Sequence, residues 1–520
     1  MKRMISLLLT LTLVSGLTMV AAQAETTPGW DTSKKSQVVI STINNYYTAG
    51  LEKLCEDYNK LHPETEVVLD IISDNDTYRT NFITKVSTDK SLAPDIYHFN
   101  VAGVSTHESL SQGWVLDLNE TWLDMPNPYA DGKTTRELIS PYWMARAISD
   151  QGGYATFAPF DNVTVCVYYN KDIFEKVGLQ VPATLEEWLT VCEKLVEAGY
   201  KTPIGASSVA GWYAASLADS AYRYRTKEFL TMPGDAMWDD EVCAANLTVE
   251  YTPDDISFDD GVVFNAERTA AYQIENGFIN DTNKEIWTKA LSLARYFQPG
   301  WSTPDENSVN ANFITQQVPM LINGTWVIGD FVAQVAQLPE NMQFEWGTFP
   351  FVGPENAGKE GEEVFQGAYR GFMATGHQMS ITPKDADQTA RAMDVLHYWY
   401  SPAGAQMIYN ETLTNGNFVQ GPPLIEGVTL SDEIMGYLGT LSLNGSYHGQ
   451  WTALSSAHLN ATTADMPVMH DLLNRYTARE IEIDEFLEKA NELWLRKIQE
   501  GIDRNGFDLD PTTKDTPPTT

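Results

Sequence analysis

Apolar positions along this chain follow two spacings in turn. At 37–43 the run Gln, Val, Val, Ile, Ser, Thr, Ile is rich in β-branched residues and predicts a strand. A polar and aromatic loop occupies 44–50. Leu51, Leu54, Cys55, Tyr58 and Leu61 then recur at helical spacing, and Pro63 stops that helix. Residues 67–72 predict a second strand, 78–88 a second helix and 94–99 a third strand. Strand, helix, strand, helix, strand is the order of a parallel sheet covered by helices.

The same grammar restarts further on. Residues 163–169 predict a strand, and 318–323 a short apolar one. Residues 185–198 form an amphipathic helix with Thr184 as its cap. Glu186 and Glu187 sit in its first turn, where the helix dipole favours negative charge. Residues 388–400 and 484–499 predict strong helices. The stretch 222–261 is acidic and irregular, and reads as an insertion rather than core. From 508 onward the chain is rich in Pro, Thr and Asp and is expected to lack order. No internal repeat is visible. At 520 residues two domains are expected rather than one.

The first residues bear on the compartment. Lys2 and Arg3 precede an uncharged apolar and hydroxyl-rich stretch at 4–20, and Ala22, Gln23 and Ala24 supply a small-x-small cleavage pattern. This predicts a secretory signal at 1–24 and a mature chain from Glu25. The stretch is short for a spanning helix. No cysteine stands at the cleavage point, so a free periplasmic or secreted protein is expected. The chain carries 34 Lys+Arg against 70 Asp+Glu, a net charge of −36. Such a surface repels nucleic acid and anionic lipid. Cys55, Cys166, Cys192 and Cys243 lack the close spacing of a zinc or redox site. They read as buried small apolar residues, although an oxidising compartment permits a disulfide and three pairings stay open.

No segment demands catalysis. There is no Gly-x-Ser-x-Gly elbow, no His-Glu-x-x-His, no phosphate loop and no Gly-x-Gly-x-x-Gly. Eight histidines are scattered without ligand spacing. Asp254, Asp255, Asp259 and Asp260 form one acidic run. Asp503, Asn505, Asp508 and Asp510 form another around Gly506. Neither completes a calcium loop with its closing Glu, and in so acidic a chain such runs are usually solvated. The aromatic supply is more informative. Tyr46, Tyr47, Trp212, Trp326, Tyr447 and Trp451 stand in expected loops beside Gly, Asn or Asp. A sugar ring offers an apolar C–H face and a rim of hydroxyls, which rings and polar side chains match respectively. Each ring taken singly is equally a core residue.

An ordered set of pieces resembles the family 1 extracellular solute-binding proteins of bacterial ABC importers, the group that includes maltose-binding protein. Ala93, Pro94, Asp95, Ile96 and Tyr97 are similar to its Pro-Asp strand start. Gly113, Trp114, Val115, Leu116, Asp117 and Leu118 are similar to its turn. The most specific block is Tyr168, Tyr169, Asn170, Lys171, Asp172, Ile173 and Phe174, followed by Gly178 and by Pro182 to Trp188. Phe313 through Asn323, Gly324, Thr325 and Trp326 resembles another signature, and Phe349 with Pro350 a third. The extra residues at 222–261 and the stretch 443–467 depart from the pattern.

The resemblance implies an α/β fold of two hinge-linked lobes, of the type II periplasmic-binding kind, with ligand in the interlobe cleft. Lobe one is expected at 25–159 and 372–427, lobe two at 160–371 and 428–510, and a disordered tail at 511–520. It implies a carbohydrate ligand, transmembrane permease subunits as partners, a monomer, no nucleic acid, no metal and no cofactor. Peptide or polyamine binding by the same fold, and an exported glycoside hydrolase, are the alternatives. Sites in such sheets form at the carboxyl ends of strands. That rule and the family together point to Asn44, Asn45, Tyr46, Tyr47, Asn100, Asp161 and Asn162, with Trp212 and Arg370 added. Trp326 matches the family tryptophan that faces the sugar.

Overall fold

The computed structural model describes residues 30–513, apart from 44–45, 73, 152, 259–260, 304–305, 416–418, 433, 436–448 and 457–465. The expected signal at 1–24 therefore lies outside the described residues, as do Asn44 and Asn45 of the candidate site and the loop aromatic Tyr447. Among the described residues no helix is long and apolar enough to cross a membrane.

Among the described residues ten strands make two five-stranded sheets. They are β1 (Ser36–Ile43), β2 (Thr65–Ile72), β3 (Ile96–His98), β4 (Ala158–Pro159), β5 (Asn162–Asn170), β6 (Ile204–Gly205), β7 (Met320–Gly324), β8 (Trp346–Pro350), β9 (Phe372–Thr375) and β10 (Gln378–Ile381). The first sheet runs β2-β1-β3-β10-β4. The β-branched run of β1 lies parallel to both neighbours, with Val38 opposite Val67 and Ile40 opposite Leu69 and Ile96. Val38 and Ile40 are fully buried and share one core with the helix Thr48–Leu61, whose inner face is Leu51, Leu54, Cys55 and Tyr58. Burying each such side chain contributes roughly 1.5–3 kcal/mol. The expected parallel β/α order of this half is what the structure shows.

The second sheet runs β6-β7-β5-β8, and β9 also pairs with β5. Here β5 meets β7, β8 and β9 antiparallel, while β6 and β7 are parallel. The helix Leu185–Glu197 opens as its sequence predicts: the Thr184 Oγ1 accepts a hydrogen bond from Glu187 N at 3.2 Å. A core containing Val165, Trp188, Trp287 and Trp494 packs on this sheet. A separate core containing Ile40, Trp122, Phe160 and Trp399 packs on the first.

Several expectations change. The third strand is shorter than 94–99, because Phe99 already opens the short helix Phe99–Ala102. The stretch 222–261 is irregular, with 3₁₀ turns at Arg223–Glu228 and Ala244–Leu247, yet it is not surface padding. Phe229, Leu230, Cys243 and Phe258 are buried, and Asn246 ties the segment down by donating to Thr231 O and Val263 O at 2.7 and 2.8 Å. Charge count hid those few anchors. Order also extends past 508: Asp508 accepts from Asp510 N at 2.8 Å, closing a turn that composition reads as loose. All four cysteines are buried and free.

The chain passes between the sheets at 160–161, joining β4 to β5, and at 376–377, joining β9 to β10. The two passages are stitched together. Phe160 N donates to His377 O at 2.9 Å, and Gly376 N to Asp161 O at 2.9 Å. A third segment joins them, with Asn162 N donating to Pro422 O at 3.1 Å and Leu424 N to Phe160 O at 3.0 Å.

Candidate functional site

A cavity of about 700 Å³ lies where elements of the two sheets face each other. From the first sheet's side come Phe99, Asn100, Trp143, Arg146, Phe157 and Gln378. From the second come Phe264, Asn265, Glu267, Asn505 and Phe507. Met373, Ala374 and Thr375 of β9 and Gln450 complete the wall. The wall thus alternates flat apolar rings with planar amides, and both arginine and glutamate on it are buried side chains.

Beside it stands an aromatic cluster. Trp212 opens the helix Trp212–Tyr222 and stacks on Phe372 with ring centroids 4.3 Å apart and planes 5° apart. Trp326 meets Trp212 edge-on at 6.1 Å. The Trp326 ring rests directly on Gly324, where a Cβ would lie within 2.0 Å of it. Its Nε1 donates to Glu306 at 3.1 Å. Tyr46 lies within the electrostatic reach of Glu306 as well. Burial first, then Glu306, Asp161 and Asp330, push its phenol above the usual range. Strand β9 connects cluster and cavity, since Phe372 belongs to one and the next three residues to the other.

The structure therefore sorts the predicted residues into groups. Asn100 is exposed and lines the cavity. Trp212 and Trp326 come together in the cluster, whereas Tyr46 packs on the first core and shares with them only the influence of Glu306; each of the three is half-buried. Tyr47, Asp161 and Asn162 form the crossover instead. Tyr47, at φ 60, turns its hydroxyl onto Asp161 and onto Tyr409 at 3.1 Å. Asp161 also accepts from His377 N at 2.6 Å. Burial pushes its carboxyl up to about 7 against the opposing effect of those hydrogen bonds. Arg370 is fully buried and holds Asp219 through two bonds of 2.9 and 2.6 Å, away from the cavity wall. Trp451 is fully buried as well, inside the helix Gly449–Ser455. Trp143, Phe157, Phe264, Asn505 and Phe507 were not singled out as ligand residues. No local pattern marks the first three, and Asn505 was read only as part of an acidic run. Among the described residues no group of three or more His, Cys, Asp or Glu is arranged to hold a metal ion.

A sequence model of the bacterial extracellular solute-binding proteins matches residues 44–406. The chain belongs to this family. Its members are extracellular, and the fold described above is that of its solved members. A multiple sugar-binding protein of Streptococcus mutans is 21% identical over 345 residues, 65% of this chain and 68% of that protein. The solute-binding protein RafE of Streptococcus pneumoniae, solved with raffinose, superposes with a TM-score of 0.53 at 17% identity over 89% of this chain and 99% of that one. A structure from work on xylan utilization by Caldanaerobius polysaccharolyticus gives a TM-score of 0.57 at 16% identity over 88% and 100%. At such identities these structures establish the fold of the two-lobed family and nothing finer.

Proposed function

We propose that this protein is the solute-binding component of an ABC importer and that its cleft takes a neutral carbohydrate, an oligosaccharide rather than a single ring. The observation that carries the reading is the cavity itself: about 700 Å³ between the two sheets, walled by aromatic rings and carboxamides. Rings cover the C–H faces of sugars, and amides both donate to and accept from hydroxyls. The sugar ligands in the names of its relatives support the same class.

No bond of the ligand is broken in this reading. Each lobe contributes contacts, so ligand favours the state in which the lobes approach. Permease subunits on separate chains would then recognise that state. Lobe one is proposed at 25–159 with 376–427, and lobe two at 160–375 with 428–510. The pairing of β9 with β5 supports a boundary at 376 rather than 372. The protein is proposed to act as a free monomer in the periplasm or outside the cell after loss of 1–24.

A ligand that binds only the folded state raises the melting temperature as its concentration rises. The mature chain, 25–520, is expected to gain stability with one series of oligosaccharides in a thermal-shift screen. Amino acids, peptides and polyamines are expected to leave it unmoved. Shifts confined to amines or peptides would keep the fold and remove the carbohydrate assignment.

A further inference from the structure

The last long helix, Ile483–Asn505, is fixed to the second core by Phe486, Leu487, Leu493 and Trp494. It stops at Gly506, whose φ of 70° suits a residue without Cβ. Gly506 N and Phe507 N both donate to Ile502 O, at 2.9 and 3.1 Å. Ala236 N then donates to Pro511 O at 2.8 Å and pins the following turn to the same side. The backbone at 505–507 is thus part of the second sheet's body.

Its side chains nevertheless reach the first. Asn505 Nδ2 donates to Gly501 O at 2.9 Å, which turns its Oδ1 outward. Ser105 Oγ donates to that oxygen at 3.0 Å. The Ser105 oxygen already accepts from Glu108 N at 3.2 Å as a helix cap, so its single proton is directed to Asn505. The Phe507 ring lies 5.7 Å from the His107 ring. Ser105, His107, Asn505 and Phe507 all line the cavity.

We propose that the turn at 505–507 is a clasp that closes one wall of the ligand cavity and bridges the cleft, making Asn505 and Phe507 determinants of how firmly ligand is retained. Both contacts exist only while the two sides are together, so they add to the closed state alone. The bridging rests on geometry independent of ligand identity; the effect on retention rests on the carbohydrate reading.

The test uses the mature chain carrying Ser105→Ala and Phe507→Ala together, with Phe507→Tyr as the conservative partner. Small-angle scattering without sugar is expected to give a larger radius of gyration for the double variant than for wild type, with the far-UV circular dichroism of the folded chain kept. Phe507→Tyr is expected to keep the wild-type radius. With a sugar that binds, the double variant should release it about tenfold faster, a loss carried by dissociation rather than association. A folded double variant with wild-type radius and wild-type release overturns the clasp. A larger radius with no sugar binding at all keeps the clasp and removes the carbohydrate reading.

Discussion

Asp219→Ala is expected to destabilise the protein by about 3–5 kcal/mol, the cost typical of stripping one partner from a buried ion cluster. Asp219 lies on the helix Trp212–Tyr222 with both partners fully buried. Arg223 donates to it at 3.0 Å, and Arg370 grips both of its oxygens at 2.9 and 2.6 Å. The arginines hold backbone as well: Arg223 donates to Ala368 O at 2.8 Å, and Arg370 to Ile256 O at 3.2 Å. One carboxylate therefore joins a core helix, the stretch 222–261 and the approach to β9. Without it two buried guanidinium groups lose the carboxylate that they share. Asp219→Asn keeps an acceptor oxygen and is expected to lose less. Urea unfolding followed by tryptophan fluorescence measures both. A loss under about 1 kcal/mol for Asp219→Ala would mean that water reaches the cluster.

Trp326→Ala is the second large effect, and it falls on ligand rather than fold. Aromatic anchors at the centre of a binding surface commonly cost 2 kcal/mol or more when truncated, roughly 30-fold in affinity. The proposed function makes Trp326, beside the cavity rather than in its wall, such an anchor. Gly324 leaves room for its ring, Glu306 holds its Nε1, and Trp212 stands edge-on beside it. Being half-buried, it contributes less to the core than Trp188 or Trp399, which are fully buried. The melting temperature of ligand-free Trp326→Ala should therefore stay near that of wild type while titrated affinity collapses. Unchanged affinity would confine the ligand to the cavity walled by Trp143, Phe157 and Phe264.

The difference between Trp326 and Arg370 shows what this sequence reveals. Periodicity is a local property, so β1, the helix Thr48–Leu61 and the cap at Thr184 could be read directly. Trp326 is named through the resemblance of the stretch ending at Gly324, Thr325 and Trp326 to a family signature, and the structure sets it beside Trp212; its contact with ligand is the proposal. Arg370 and Asp161 are polar residues next to strand ends, which is where ligand residues and internal partners both stand. The partner of Arg370 lies 151 positions away, and only the fold reveals it. Tyr47 is aromatic and loop-borne like Tyr46, yet its left-handed backbone sends its hydroxyl inward to Asp161. The turn after Gly506 was hidden by composition: Asp, Pro and Thr mark solvated tails on average, but here Asp508 closes a turn and Pro511 receives a backbone bond. Phe264 and Trp143 could not be found from local spacing, because the cavity they wall is assembled from both ends of the chain.

The proposed function requires that one carbohydrate molecule is held between the two sheets and leaves unaltered. Isothermal titration of the mature chain with the oligosaccharide that gives the largest thermal shift, followed by chromatography of the recovered sugar, tests it most directly. The expected result is a single site per chain, a negative heat-capacity change from the apolar surface covered by the rings, and intact sugar at the end. Absence of heat with every oligosaccharide, or shortened sugar in the recovered material, would contradict it.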